Sequence, residues 1–86
     1  KVQSLPPIFL TIDANENVIV RKDGDPVQTL NKFELGNFAR SQAEKSADQP
    51  IVIAADKSIK YETVMDVMSK LKENGVKRVG LAVKTQ

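Results

Sequence analysis

Apolar and polar residues along this chain switch between a period of two and a period near 3.6, and each switch marks an element. Ile8-Phe9-Leu10-Thr11-Ile12 puts Ile8, Leu10 and Ile12 on one face, as in a half-buried strand. Asp13 to Glu16 is a polar turn, and Asn17-Val18-Ile19-Val20-Arg21 pairs back as a second strand. Asp23-Gly24 is a hairpin turn signal, because Gly accepts positive φ without cost and Asp tolerates it better than most residues. A short third strand, Val27-Gln28-Thr29, follows Pro26, which has no backbone N–H and therefore suits a sheet edge.

The period then lengthens. Asn31 with Glu34 three residues on forms a capping box, and Leu30 and Leu35 flank it as a hydrophobic staple. Leu35, Phe38, Ala39 and Gln42 form the buried stripe of a helix over Lys32 to Lys45, and Pro50 stops that helix from running on. Ile51 to Ala55 is a continuous apolar run, expected of a central strand covered on at least one side. Asp56-Lys57-Ser58 turns the chain into a second helix, Tyr61 to Asn74, with the stripe Tyr61, Val64, Val67, Met68 and Leu71. Gly75 stands where a left-handed cap belongs, with Val76 as its apolar partner. Val79, Leu81 and Val83 alternate with Gly80 and Ala82 in a last strand. Strand, helix and strand from Ile51 to Val83 make a βαβ unit with a parallel pair and a right-handed crossover. The expected architecture is α+β: a two-layer sandwich of a mixed β-sheet with two α-helices on one face, Leu71, Met68 and Phe38 largely buried, and the opposite sheet face uncovered.

Composition narrows the function classes. The chain has 86 residues, enough for one domain, and a domain of this size buries only about 60% of its unfolded surface, which leaves little material for a deep cleft. The division is 1–7 as a flexible N-terminal segment and 8–86 as the folded domain. The longest apolar run has no more than five residues, Ile51 to Ala55, against roughly 20 for a membrane-crossing helix. Beginning at Lys1, the sequence reads as a piece of a longer protein. Cysteine is absent, so disulfides give no clue to compartment. The net charge of +2 comes from interspersed charges, with no basic stripe longer than Arg21-Lys22 or Lys77-Arg78, and this argues against nucleic-acid binding.

Candidate chemistry is thin. Histidine, the commonest general base and metal ligand, is missing. Ser69-Lys70 sits on the outer side of the second helix, where both side chains are solvated. Asp13, Asn15 and Asn17 imitate the first ligands of a calcium loop, but Val18 stands where the sharp turn needs Gly and Gly24 where a bidentate Glu is needed. The glycines at 24, 36, 75 and 80 form no phosphate-binding loop, and Asp56 beside Lys57 reads as a turn residue. No catalytic, metal-binding or cofactor-binding residue is assigned, and the expected function is to bind another macromolecule.

Ile53-Ala54-Ala55-Asp56-Lys57, Tyr61-Glu62-Thr63-Val64-Met65-Asp66-Val67-Met68, Leu71, Gly75-Val76 and Val79-Gly80-Leu81, in that order and spacing, closely resemble the C-terminal domain of the ExbD/TolR family. The hairpin and Leu5-Pro6 fit the family's looser N-terminal part. The resemblance implies a periplasmic domain of a single-pass inner-membrane protein, whose transmembrane helix and proton-conducting aspartate lie outside this sequence. It implies an ExbB-like membrane subunit, reached through that helix, in a complex driven by the proton-motive force, and a TonB-like protein as the partner acted upon. Ala54-Ala55-Asp56-Lys57 is nearer to ExbD than to TolR, which often carries a Gly-Gly-Ala-Lys type of segment there. The alternative is a TolR-like domain that binds peptidoglycan. The expected partner-binding residues are Val79, Gly80, Leu81, Ala82 and Val83, with Leu5 and Pro6. The last strand either lies at a sheet edge and accepts a partner's strand, or is central with Gly80 and Ala82 fitting under a helix. A weak homodimer, through sheet edges or the uncovered face, completes the expectations.

Overall fold

The computed structural model describes residues 6–46 and 48–83. It contains β1 (Ile8–Ile12), β2 (Val18–Arg21), β3 (Gln28–Leu30), α1 (Lys32–Lys45), β4 (Ile51–Ala55), α2 (Tyr61–Glu73) and β5 (Val79–Val83). Local chemistry fixes most of these bounds. The amides of Phe33 and Glu34 both donate to Asn31 Oδ1 at 2.9 Å, and the Asn31 amide donates to Glu34 Oε1 at 2.9 Å. At the end of α2 the Val76 amide donates to the Leu71 carbonyl (3.1 Å) and the Gly75 amide to that of Lys72 (3.2 Å). This Schellman pair requires a left-handed residue, and Gly75 supplies it with φ 103°. Glycine is needed there for a second reason: a Cβ on Gly75 would lie 3.2 Å from the Ala43 Cβ.

The β1–β2 turn is tied by Asp13, whose Oδ1 accepts from the amides of Asn15 (3.0 Å) and Asn17 (2.9 Å). The carboxylate is therefore occupied as a turn brace, as a polar turn demands. Asn17 belongs to that turn, so β2 starts one residue later than the alternation predicts. β3 is likewise shifted, to Gln28–Leu30, because Val18 pairs with Leu30 and Val27 falls outside the ladder. Asp56 accepts from the Lys57 amide at 2.9 Å and its carbonyl from the Ile59 amide, the turn role its sequence context suggested.

The sheet order is β3-β2-β1-β4-β5. β1–β2 and β2–β3 are antiparallel, while β1–β4 and β4–β5 are parallel, with Ile53 opposite Leu81. The buried strand residues described (Ile8, Leu10, Ile12, Val18, Val20, Ile51, Ile53, Ala55) all lie on one face, against Leu35 and Ala39 of α1 and Val64, Val67 and Leu71 of α2. The fold is thus the two-layer α+β sandwich, with a mixed five-stranded sheet and both helices on one face. The other face carries Phe9, Thr11, Ile19, Val52 and Ala54, and no described layer covers it.

Three stripe residues are less buried than helical spacing predicts. Phe38 and Met68 are half-buried, and Tyr61 is 67% exposed. The cause is geometric: two helices over five strands bury their facing sides, while their outer flanks overhang the edge strands. Phe38 lies on the β3 flank of α1, and Tyr61 and Met68 lie on the β5 flank of α2. Gln42 is buried at the end of the α1 stripe because its amide is satisfied, Nε2 donating to Gln49 Oε1 at 2.7 Å. Gln49 Nε2 in turn donates to the Pro6 carbonyl at 2.9 Å, which ties the entry of β1 to α1.

Leu71→Ala should cost roughly 2–5 kcal/mol, since Leu71 is fully buried at the centre of the core, whereas Tyr61→Ser should stay within about 0.5 kcal/mol. Urea denaturation followed by circular dichroism measures both; a mild Leu71→Ala would mean α2 turns another face inward. Asn31→Ala removes the acceptor of two helix-start amides and should cost about 1 kcal/mol in the same assay.

Candidate partner-binding edge

β5 pairs with β4 on one side, and no described strand lies on the other. Of the two arrangements open to this strand, the structure has the edge. The hydrogen-bond phase decides which of its backbone groups are spare. The Ile51 amide donates to the Arg78 carbonyl at 2.9 Å, so residues of even number direct N–H and C=O toward β4. Strand geometry then turns the N–H and C=O of Val79, Leu81 and Val83 outward. Side chains follow the other alternation. Val79 packs against the core on the helix face, Leu81 lies on the same face at 39% exposure, and Gly80 and Ala82 are on the uncovered face. A Cβ at Gly80 would meet nothing within 4 Å, so that glycine is not there to fit beneath a helix.

The opposite edge is built differently. β3 has three residues and is preceded by Pro26, and both features discourage a further strand. β5 has five residues with neither charge nor proline among them. Edge strands invite pairing unless blunted, and only β3 is blunted.

Of the remaining residues expected at the site, Leu5 lies outside the described residues. Pro6 is exposed at the entry of β1, at the same end of the sheet as Val79 but separated from β5 by β4. The structure therefore gathers Val79 to Val83 on one edge and leaves Pro6 away from it. Sequence reasoning overlooked Met65, half-buried on the flank of α2 that overhangs β5. A signal existed: Met65 lies four residues after Tyr61 and three before Met68, which widens the apolar stripe of α2 on that flank.

No group of three or more Asp and Glu side chains among the described residues is arranged to hold a metal ion. No helix among the described residues is long and apolar enough to cross a membrane. The geometry is suited to main-chain pairing supported by apolar contact.

Comparison with known proteins agrees on one family. The family model described as "Biopolymer transport protein ExbD/TolR" matches residues 1–86. A Biopolymer transport protein ExbD from Neisseria gonorrhoeae is 27% identical over 84 residues, covering 98% of this chain and 57% of that protein. The protein of the same name from Escherichia coli (strain K12) is 31% identical over 75 residues, covering 87% of this chain and 50% of that protein. The chain thus spans about half the length of the relatives it matches. With a family-model match that runs from the first residue to the last, this chain belongs to the ExbD/TolR family.

Proposed function

We propose that this domain is the periplasmic, partner-binding part of an ExbD-like subunit in an inner-membrane complex driven by the proton-motive force. It works by capturing an extended segment of a TonB-like protein as a sixth strand on β5. The observation that carries this reading is the unblunted five-residue edge, with the N–H and C=O of Val79, Leu81 and Val83 turned outward. Main-chain hydrogen bonds would supply the affinity, each worth about 1 kcal/mol net, which suits a contact made and broken in every working cycle. Membership of a family whose members are named for biopolymer transport supports the role. The ExbB-like subunit would meet the protein through a membrane helix outside this chain. Among the described residues, no feature favours the TolR-like, peptidoglycan-binding alternative.

The uncovered sheet face is the better surface for weak self-association, because a homodimer built there leaves β5 free for the partner. Phe9, 44% exposed at its centre with Val52 beside it in register, is the residue on which such a contact would turn.

Two measurements test these readings. With a peptide from the periplasmic part of a TonB-like protein, the amides of Val79 and Leu81 should exchange with solvent markedly more slowly; slowing confined to the helices would exclude strand addition at this edge. Sedimentation at millimolar protein should show a monomer–dimer equilibrium that Phe9→Ser shifts toward monomer without lowering the melting temperature. A pure monomer throughout would remove the dimer.

A further inference from the structure

The flank of α2 that overhangs β5 decides what an added strand can carry. α2 turns Thr63, Asp66, Val67, Lys70 and Glu73 toward a groove shared with Lys32 and Leu35 of α1. Val64, Val67 and Leu71 point into the core. At 100° per residue, Tyr61, Met65, Met68 and Lys72 are left on the side away from α1. α2 touches β4 and β5 while α1 touches β3, so that side lies over the β5 edge. Met65 and Met68 are half-buried there, Tyr61 is 67% exposed, and Leu81 forms the floor at 39% exposure. Thioether side chains re-pack around different apolar shapes more readily than branched ones.

Positive charge gathers at the end of the groove where β5 begins. Lys77 and Arg78 lead into β5, and Lys72 stands in the last turn of α2 above the same end. All three are exposed, and none is ion-paired with another described residue. The nearby acid of that turn, Glu73, faces the groove toward α1 instead.

We infer that the segment taken up by β5 carries apolar side chains at every second position, which seat between Leu81 and the Met65–Met68 flank, and acidic residues at the end that lies over Lys72, Lys77 and Arg78. This rests on strand addition at β5 and specifies the chemistry of the strand that is added. The intervening side chains fall on the uncovered face beside Gly80 and Ala82, where nothing described selects among them. An apolar residue that seats under α2 loses water from both partners, whereas the acidic end acts over several ångströms and weakens with salt.

The test uses synthetic peptides of alternating Val and Thr carrying two Glu residues at one end or at the other, so that both strand directions are offered. Controls replace the Glu pair by Lys, or gather the same Val and Thr residues into blocks. The alternating acidic peptide should bind roughly tenfold more tightly than its Lys counterpart at low salt, with the gap narrowing as salt rises. It should slow exchange at the amides of Val79 and Leu81 and shift the ε-methyl resonances of Met65 and Met68. Lys77→Glu with Arg78→Glu should reverse the charge preference. Met65→Gln with Tyr61→Gln, on a flank outside the core, should weaken binding about tenfold with the melting temperature kept. Equal amide protection by every peptide with unmoved methionine methyls would overturn the recognition proposed here and leave strand addition standing. If a TonB-like peptide protects β5 and no synthetic peptide does, the proposed chemistry is likewise wrong. If none protects it, strand addition itself falls.

Discussion

The parallel pairing of β1 with β4 sets Ile8 beside Ile51, Leu10 beside Ile53 and Ile12 beside Ala55, all six on the helix-covered face. Among the described strands it is the one ladder that joins the N-terminal meander to the C-terminal βαβ unit, and the rest of the fold follows from it. At its lower end the Ile8 amide donates to the Pro50 carbonyl and the Ile51 amide to that of Arg78, so three strands are phased from one line of hydrogen bonds. A slip of one residue would turn the isoleucines outward and bring Phe9, Thr11 and Val52 under the helices. Placing β1 and β4 at the centre also leaves β3 and β5 as the edges.

Two helices cannot cover five strands, and the shortfall is where the proposed binding surface lies. α1 and α2 give their facing sides to each other and their inner sides to the sheet, so their outer flanks extend over edges beyond which no described strand lies. At β3 that flank meets a short, proline-led strand; at β5 it meets five residues with spare main-chain groups. A single helix placement thus yields one closed side and one side open to a strand. The cost is exposed apolar surface at Leu81 and Tyr61, modest in extent and useful only if a partner covers it.

β5 is also where a small protein can yield locally. Among the described strands it has one neighbour, while β1, β2 and β4 each have two. Strands with fewer partners open at lower free energy than central ones. The start of β1 is held more firmly, because the Gln42–Gln49–Pro6 relay fastens it to α1 through hydrogen bonds of 2.7 and 2.9 Å. The proposed strand addition would thus fall at an edge with few partners, while the start of β1 stays fixed at the centre and the core is left tight.

Much of this architecture was legible in the chain because its causes act over a few residues. The Asn31–Glu34 box, the Gly75 turn and Pro50 mark where helices begin and end, and alternation in Ile8 to Ile12 and Val79 to Val83 marks strands whatever they pair with. The short pieces between Ile53 and Leu81 were specific enough to indicate the family that the whole-chain match then established. Strand order was another matter. Alternating apolar residues state which face of a strand is buried, but an edge strand and a central strand of a half-covered sheet show the same alternation, so β5 could have been either. The exposure of Tyr61 and the half-burial of Phe38 and Met68 escaped for a related reason: helical spacing selects a face and says nothing of how far the sheet beneath it extends. Those outcomes were decided by long-range pairing, chiefly β1 against β4, whose partners are more than forty residues apart and whose register no local pattern specifies.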